Sequence, residues 1–238
     1  MSLQNRIIPY FLDDSIRDVV IVFPGGGYSY TSPREAKVVC EAFHKQGFHG
    51  AVFEYRNELL TYPSLLQEGL GLLETFVNDQ RIQRVFLLGF SAGGHYALLL
   101  SIHTKIKHQG LILAYPVVSS KEAIRHDHSF RMLLGDQMDE YIEECSLEDA
   151  NFEHHPPVFL WHTMDDSVVN VENAFVLVDS LRSYQIPVEL HIFESGPHGL
   201  SLATRDVAFE HLDPVEFEKK HQHVSKWLDL AVSWLKRQ

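Results

Sequence analysis

Gly89-Phe90-Ser91-Ala92-Gly93 sets a serine two residues from a glycine on either side, directly after the apolar run Arg84 to Phe90 and directly before a helical pattern from Gly93 to His103. A serine on such a strand-to-helix turn needs small neighbours, and the turn pushes its hydroxyl out above the sheet. The helix that follows points its amino end at the same spot, which favours negative charge developing in a transition state. The chemistry that fits is nucleophilic acyl transfer. A serine hydroxyl is a weak nucleophile near neutral pH, so a base must take its proton. Phe193-Glu194-Ser195-Gly196-Pro197-His198-Gly199 supplies a histidine just past the last apolar strand, with glycines that let the loop reach over the site. The chain has 15 histidines, and position rather than residue type singles out His198. The nearest rival, His95, falls on the helix after Ser91 and reads as a packing or hydrogen-bonding residue.

An acid must hold the imidazole in the right tautomer and stabilise the imidazolium. Trp161-His162-Thr163-Met164-Asp165-Asp166-Ser167-Val168-Val169 offers two aspartates at the end of the preceding strand, and both qualify. The one not used would serve as a turn or helix-capping residue. Pro24-Gly25-Gly26-Gly27-Tyr28 follows an early strand, and its glycines free the backbone amides to face a reacting carbonyl. With the amide of Ala92, Gly26 and Gly27 form the expected oxyanion hole. Neither G-x-G-x-x-G nor Gly-Lys-Ser/Thr is present, so these glycines are not a nucleotide fingerprint. Tyr28, and Tyr30 beside it, are candidates for stacking on a sugar or aromatic leaving group, or else for packing the loop.

Short β-branched and aromatic runs alternate with helical patterns along the chain and position these residues. The strands expected are 18–23, 48–55, 84–90, 110–115, 157–162 and 187–194. The helices expected are 32–46, 63–78, 93–103, 171–184 and 214–236. Near-continuous apolar strands alternating with helices predict one α/β domain over residues 1–238, a mostly parallel sheet covered on both faces. Between Pro116 and Pro156 about 40 residues break the rhythm, and they carry Arg125-His126-Asp127-His128 and His154-His155. That stretch reads as an elongated crossover with two short helices, or as a small cap within 117–156.

With 20 basic and 32 acidic residues, the formal charge of −12 counts against nucleic acid or an anionic membrane as partner. A small, mostly uncharged molecule is the expected substrate. The two cysteines, Cys40 and Cys145, lack a metal-ligand or CxxC spacing, and no metal is expected. Met1 to Asp14 holds no apolar run of leader length and no stretch approaches a membrane span, so the expectation is a cytoplasmic protein.

The chain resembles the bacterial acetyl-esterase branch of the α/β-hydrolases, akin to acetylxylan and feruloyl esterases and to hormone-sensitive-lipase-like esterases. The resemblance rests on Pro24 to Tyr28, Gly89 to His95, Ala114-Tyr115-Pro116-Val117, Trp161-His162-Thr163, Val171-Glu172-Asn173, and Glu189 to Phe193 with Gly196 to Leu200. It implies a central sheet of about eight strands, no metal, no organic cofactor, and cleavage of acetyl or other short acyl groups, often from carbohydrates. In that family the acid stands four residues after the histidine, with Val-Pro following; this maps onto Asp166, with Val169 in place and Asn170 where the proline would be. Asp165 stays the runner-up. Pro24, where many relatives carry histidine, matches the acetyl-esterase branch. The resulting expectation is a serine esterase with Ser91, His198 and Asp166 as triad. An amide hydrolase such as a formamidase, or a lipase-like carboxylesterase, would share the same parts. A peptidase fits less well, since such relatives add a propeller.

Overall fold

Strands buried on both faces need helices on both sides, and the alternation along this chain supplies them. The computed structural model describes residues 5–55 and 60–238; the first four residues of the stretch read for a leader lie outside these. Seven strands form one sheet among the described residues: β1 (Arg6–Tyr10), β2 (Arg17–Phe23), β3 (His49–Glu54), β4 (Ile82–Phe90), β5 (Gly110–Ala114), β6 (Val158–Thr163) and β7 (Val188–Phe193). Their order is β1-β3-β2-β4-β5-β6-β7, parallel throughout except for the antiparallel β1–β3 pair. The resemblance implied about eight strands. β1, absent from the expected elements, is a five-residue edge strand carrying Pro9, a residue that sheet edges tolerate.

Side chains alternate between two cores. Val19, Ile21 and Phe23 face α2 (Ser64–Phe76), α3 (Ala92–His103) and α6 (Glu172–Ser183). Val20 and Val22 face α1 (Lys37–His44), α7 (Pro214–His221) and α8 (Trp227–Leu235). The expected helix 214–236 is divided between α7 and α8 by a turn of 3₁₀ helix at Val224–Lys226. Trp227 of α8 stacks on Trp161 of β6, centroids 5.4 Å apart, and helps fix the strand that leads to the aspartates. α3 is buried from Ala92 to Ser101, so the helix behind Ser91 is packed on all sides.

The crossover from β5 to β6 contains α4 (Asp127–Leu134) and α5 (Met138–Tyr141), the two short helices expected there. Its residues Phe130, Leu133, Leu134, Cys145, Leu147 and Phe152 are buried in the same core as α3. After β2 the chain moves outward to β3, then returns to β4 on the other side of β2. That reversal leaves a crevice at the carboxyl ends of β2 and β4, the usual ligand position in open α/β sheets.

Candidate active site

Ser91 sits in that crevice on the turn between β4 and α3, with φ 54° and ψ −122°. Such a backbone is strained for a residue bearing a Cβ and persists only when its surroundings enforce it. The enforcement is visible at the flanking glycines. A Cβ on Gly93 would lie 2.2 Å from the carbonyl oxygen of Phe23, and one on Gly89 would lie 2.5 Å from that of Gly93. Only glycine lets the turn close this tightly against β2.

The Ser91 hydroxyl lies 2.7 Å from His198 Nε2, and His198 Nδ1 lies 2.7 Å from Asp166 Oδ2. A carboxylate only accepts, so Nδ1–H donates to Asp166, and Nε2 is left to accept the Ser91 proton. Asp166 Oδ1 also accepts from the amides of Val168 and Val169 at 2.8 and 3.0 Å. Burial pushes the Asp166 carboxyl up, but the His198 hydrogen bond and charge together with those two amides outweigh it and hold it below the usual carboxylate range. Asp165 points elsewhere: its Oδ1 accepts from the amide of Gly196 at 2.7 Å and ties down the histidine loop. The geometry thus brings Ser91, His198 and Asp166 together and leaves Asp165 as a loop anchor.

The glycine loop after β2 lies across the crevice. Gly26 and Gly27 have φ of 130° and 61°, and the Gly26 carbonyl accepts from Ser29 and Tyr30 at 3.0 and 3.3 Å. The Gly27 amide belongs to this turn, and the Ala92 amide opens α3 directly after Ser91. A Cβ on Gly26 would lie 2.0 Å from the Tyr30 carbonyl oxygen. Gly26→Ala must therefore open the turn, and roughly a 10²-fold loss of kcat is expected, the scale of losing one oxyanion donor. Steady-state kinetics on the folded variant check this; a loss under about threefold would separate the turn from the chemistry.

A cavity of about 280 Å³ opens over Ser91 and His198, lined by Gly26, Gly27, Tyr30, Arg34, His126, His128, Val168 and Phe209 among others. Tyr28 does not line it. Its backbone is left-handed, φ 66°, which turns the ring into the core at 1% exposure, where the hydroxyl meets His95 Nδ1 at 2.7 Å. The substrate contact expected of Tyr28 is thereby corrected to packing, and Tyr30, 57% exposed, takes the place at the rim. His95 is the packing residue expected: its Nε2–H donates to the Cys145 carbonyl at 2.9 Å, and burial pushes its pKa down to about 4.

His126 and His128, at the start of α4, bring the crossover segment to the cavity, and His128 Nε2 is hydrogen-bonded to Ser29 Oγ at 2.9 Å. His155 lies instead at the amino ends of the strands, beside a larger groove of about 780 Å³ that contains no part of the Ser91 arrangement. Position in the chain singled out neither Arg34 nor Phe209, whose side chains stack 3.9 Å apart at the cavity edge. Nor did it single out Glu35, which is buried with its Oε2 accepting from the Gly25 amide at 2.8 Å.

A serine hydroxyl raised on a strained turn, met by an imidazole and a carboxylate from later strand ends of a parallel sheet, defines an α/β-hydrolase. Within that class the chain belongs to the prolyl oligopeptidase family, whose model matches residues 71–225. It is 31% identical to the endo-1,4-β-xylanase B of Butyrivibrio fibrisolvens over 214 residues, 80% of this chain and 34% of that protein. It is 29% identical to the acetylxylan esterase of Xylanibacter ruminicola over 198 residues, 78% of this chain and 41% of that protein. The chain therefore spans well under half the length of these two relatives. Among solved structures, the acetyl ester-xyloside bifunctional hydrolase of Caldicellulosiruptor lactoaceticus superposes with a TM-score of 0.78 at 32% identity, covering 94% of this chain and 89% of that one. A sugar hydrolase of Lactococcus lactis superposes at 0.79, also 32% identical, covering 100% and 96%. Among the described residues no helix is long and apolar enough to cross a membrane.

Proposed function

We propose that this protein is a serine esterase that removes short acyl groups, acetyl above all, from small hydroxylated molecules such as sugars. The observation that carries the reading is the unbroken chain from the Ser91 hydroxyl through His198 to Asp166, set beneath a glycine loop. Ser91 attacks the ester carbonyl while His198 Nε2 takes its proton, and Asp166 holds the imidazolium that forms. The amides of Gly26, Gly27 and Ala92 receive the negative charge on the carbonyl oxygen. His198 then protonates the leaving alcohol, and water releases the acyl group from Ser91 by the reverse proton path. Residues 1–238 act as one domain in this reading, and 117–156 serves as a small cap through His126 and His128. The names of two relatives, an acetylxylan esterase and an acetyl ester-xyloside hydrolase, support the acetyl and sugar parts of the proposal.

Cavity size favours short acyl groups. At about 280 Å³ it is at the small end of ligand pockets, and Val168 and Phe209 are its aliphatic and phenyl walls. A tunnel that buries an acyl chain gains about 0.8 kcal/mol per CH₂, so a long-chain enzyme improves steadily with length. Here kcat/KM is expected to peak between acetyl and butyryl across p-nitrophenyl esters from acetyl to decanoyl, all kept monomeric. An optimum at octanoyl or longer would refute the short-acyl reading. N-formyl amides and prolyl peptide amides belong in the same panel, and faster turnover of either would move the activity from ester to amide.

A further inference from the structure

We infer that Glu35 is a positioning residue for acyl transfer, its buried carboxylate tying the glycine loop after β2 to the histidine loop by way of Tyr115. The inference rests on the hydrolase reading of Ser91 above. Glu35 is 3% exposed, on the short 3₁₀ turn that precedes α1. Its Oε2 accepts from the Gly25 amide at 2.8 Å, and its Oε1 accepts from the Tyr115 hydroxyl at 2.6 Å. That hydroxyl in turn accepts from the Ser201 amide at 2.9 Å, three residues past His198. Ser201 Oγ donates to the Arg34 carbonyl at 2.6 Å, which closes the circuit on the residue next to Glu35. One carboxylate thus joins the chain after β2, after β5 and after β7.

A carboxylate sealed from water is costly unless donors meet its charge. An ionised carboxylate accepts only, and this gives the circuit a fixed sense. The Tyr115 proton must go to Glu35, which leaves the phenol oxygen free for the Ser201 amide. The Gly25 N–H must turn back toward Glu35, which sets the starting plane for the amides of Gly26 and Gly27. The fit is close: a Cβ on Gly25 would lie 2.8 Å from Glu35 Oε2 and 3.0 Å from Ser91 Cβ. Glu35 and Ser91 therefore both crowd the space where Gly25 would carry a Cβ. The Tyr115 ring also stands edge-on to the His198 imidazole, centroids 4.9 Å apart at 68°, and its amide donates to the Trp161 carbonyl at 2.8 Å. Glu35 touches neither substrate nor reacting atoms. It holds the oxyanion amides and the base in register with Ser91, so its loss should be felt in the transition state more than in binding.

Glu35→Gln keeps the shape but cannot serve both donors, because one end of its amide is itself a donor. For the folded variant of the full chain, kcat on p-nitrophenyl acetate is expected to fall roughly 30-fold, short of the 10²–10³ lost with an oxyanion donor itself. KM should stay within about threefold, and affinity for a boronic acid that mimics the tetrahedral intermediate should fall with kcat. Tyr115→Phe, which keeps the ring against His198, should give a similar loss. The double variant should be little worse than the poorer single one, since both cut the same circuit. The inference is overturned by a folded Glu35→Gln protein with kcat within about threefold of wild type, by a loss confined to KM with boronate affinity unchanged, or by fully multiplicative losses in the double variant. If Glu35→Gln does not fold, Tyr115→Phe and Glu35→Asp decide by the same kcat and boronate readouts. The rate at which a fluorophosphonate labels Ser91 separates the two levels of the proposal. Slow labelling of Glu35→Gln beside fast labelling of wild type supports positioning even if the wild-type protein cleaves no ester tried, whereas equal rates overturn it.

Discussion

Ser91→Ala is expected to lower kcat for ester hydrolysis by about 10⁴ to 10⁶ while leaving the fold intact. In the proposed cycle the hydroxyl is the group that forms the acyl bond, and it is hydrogen-bonded to His198 at 2.7 Å. Removing it deletes the covalent step and leaves the amides of the glycine loop in place. Stability should change little, because the strain at φ 54° belongs to the backbone and alanine bears it as serine does. Kinetics on variant protein with wild-type circular dichroism checks the loss. A fluorophosphonate should label Ser91 in the wild-type protein and nothing in the variant. A folded Ser91→Ala protein with more than about a tenth of wild-type activity would move the nucleophile elsewhere.

The second large effect separates two adjacent aspartates. Asp166→Asn keeps the side chain's outline but presents an amide to His198 Nδ1, so the imidazole can settle in the tautomer that leaves Nε2 protonated and unable to act as base. A loss of about 10⁴ in kcat is expected, as in the serine proteases where the same change has been made. Asp165→Asn should cost less than about tenfold, because an asparagine oxygen still accepts from the Gly196 amide as the Asp165 Oδ1 does at 2.7 Å. Parallel kcat measurements on the two variants decide. Equal losses, or the reverse ranking, would make Asp165 the partner of His198.

What could be read from residue order is whatever depends on neighbours in the chain. Gly89 to Gly93 announces its turn because strand, turn and helix are consecutive, and His198 stands out because it follows the last strand. The choice between Asp165 and Asp166 is different in kind. Both leave the same strand, and only the path of the histidine loop decides that one meets Nδ1 and the other the Gly196 amide; the family likeness, not the local pattern, favoured Asp166. For Tyr28 residue type leaves stacking and packing both open, because the left-handed backbone that turns its ring inward leaves no mark there. β1 leaves no signal in residue order, because its residues, two exposed and three half-buried, show no apolar alternation and owe their extended form to pairing with β3. Glu35 sits among helical residues and looks like a solvated charge until Gly25 and Tyr115, brought in from β2 and β5, close over it.

The hydrogen bonds from Tyr28 to His95 and from His95 to the Cys145 carbonyl bear on how such a protein can change its tastes. They run from the glycine loop, across α3, into the crossover segment whose other end carries His126 and His128 to the cavity. Because a carbonyl only accepts, the His95 proton is fixed on Nε2 and the Tyr28 hydroxyl must donate to Nδ1, so all three groups are matched as a set. Descendants with an altered cavity wall are free to vary the exposed positions between Lys121 and Glu144, but not Phe130, Leu133 and Leu134, which are held in the core. They are expected to keep the tyrosine, the histidine and the path of the chain at Cys145 together or to replace them together. A graft that imported a foreign crossover without its matching tyrosine and histidine would inherit a new pocket wall and a loosened glycine loop in the same step.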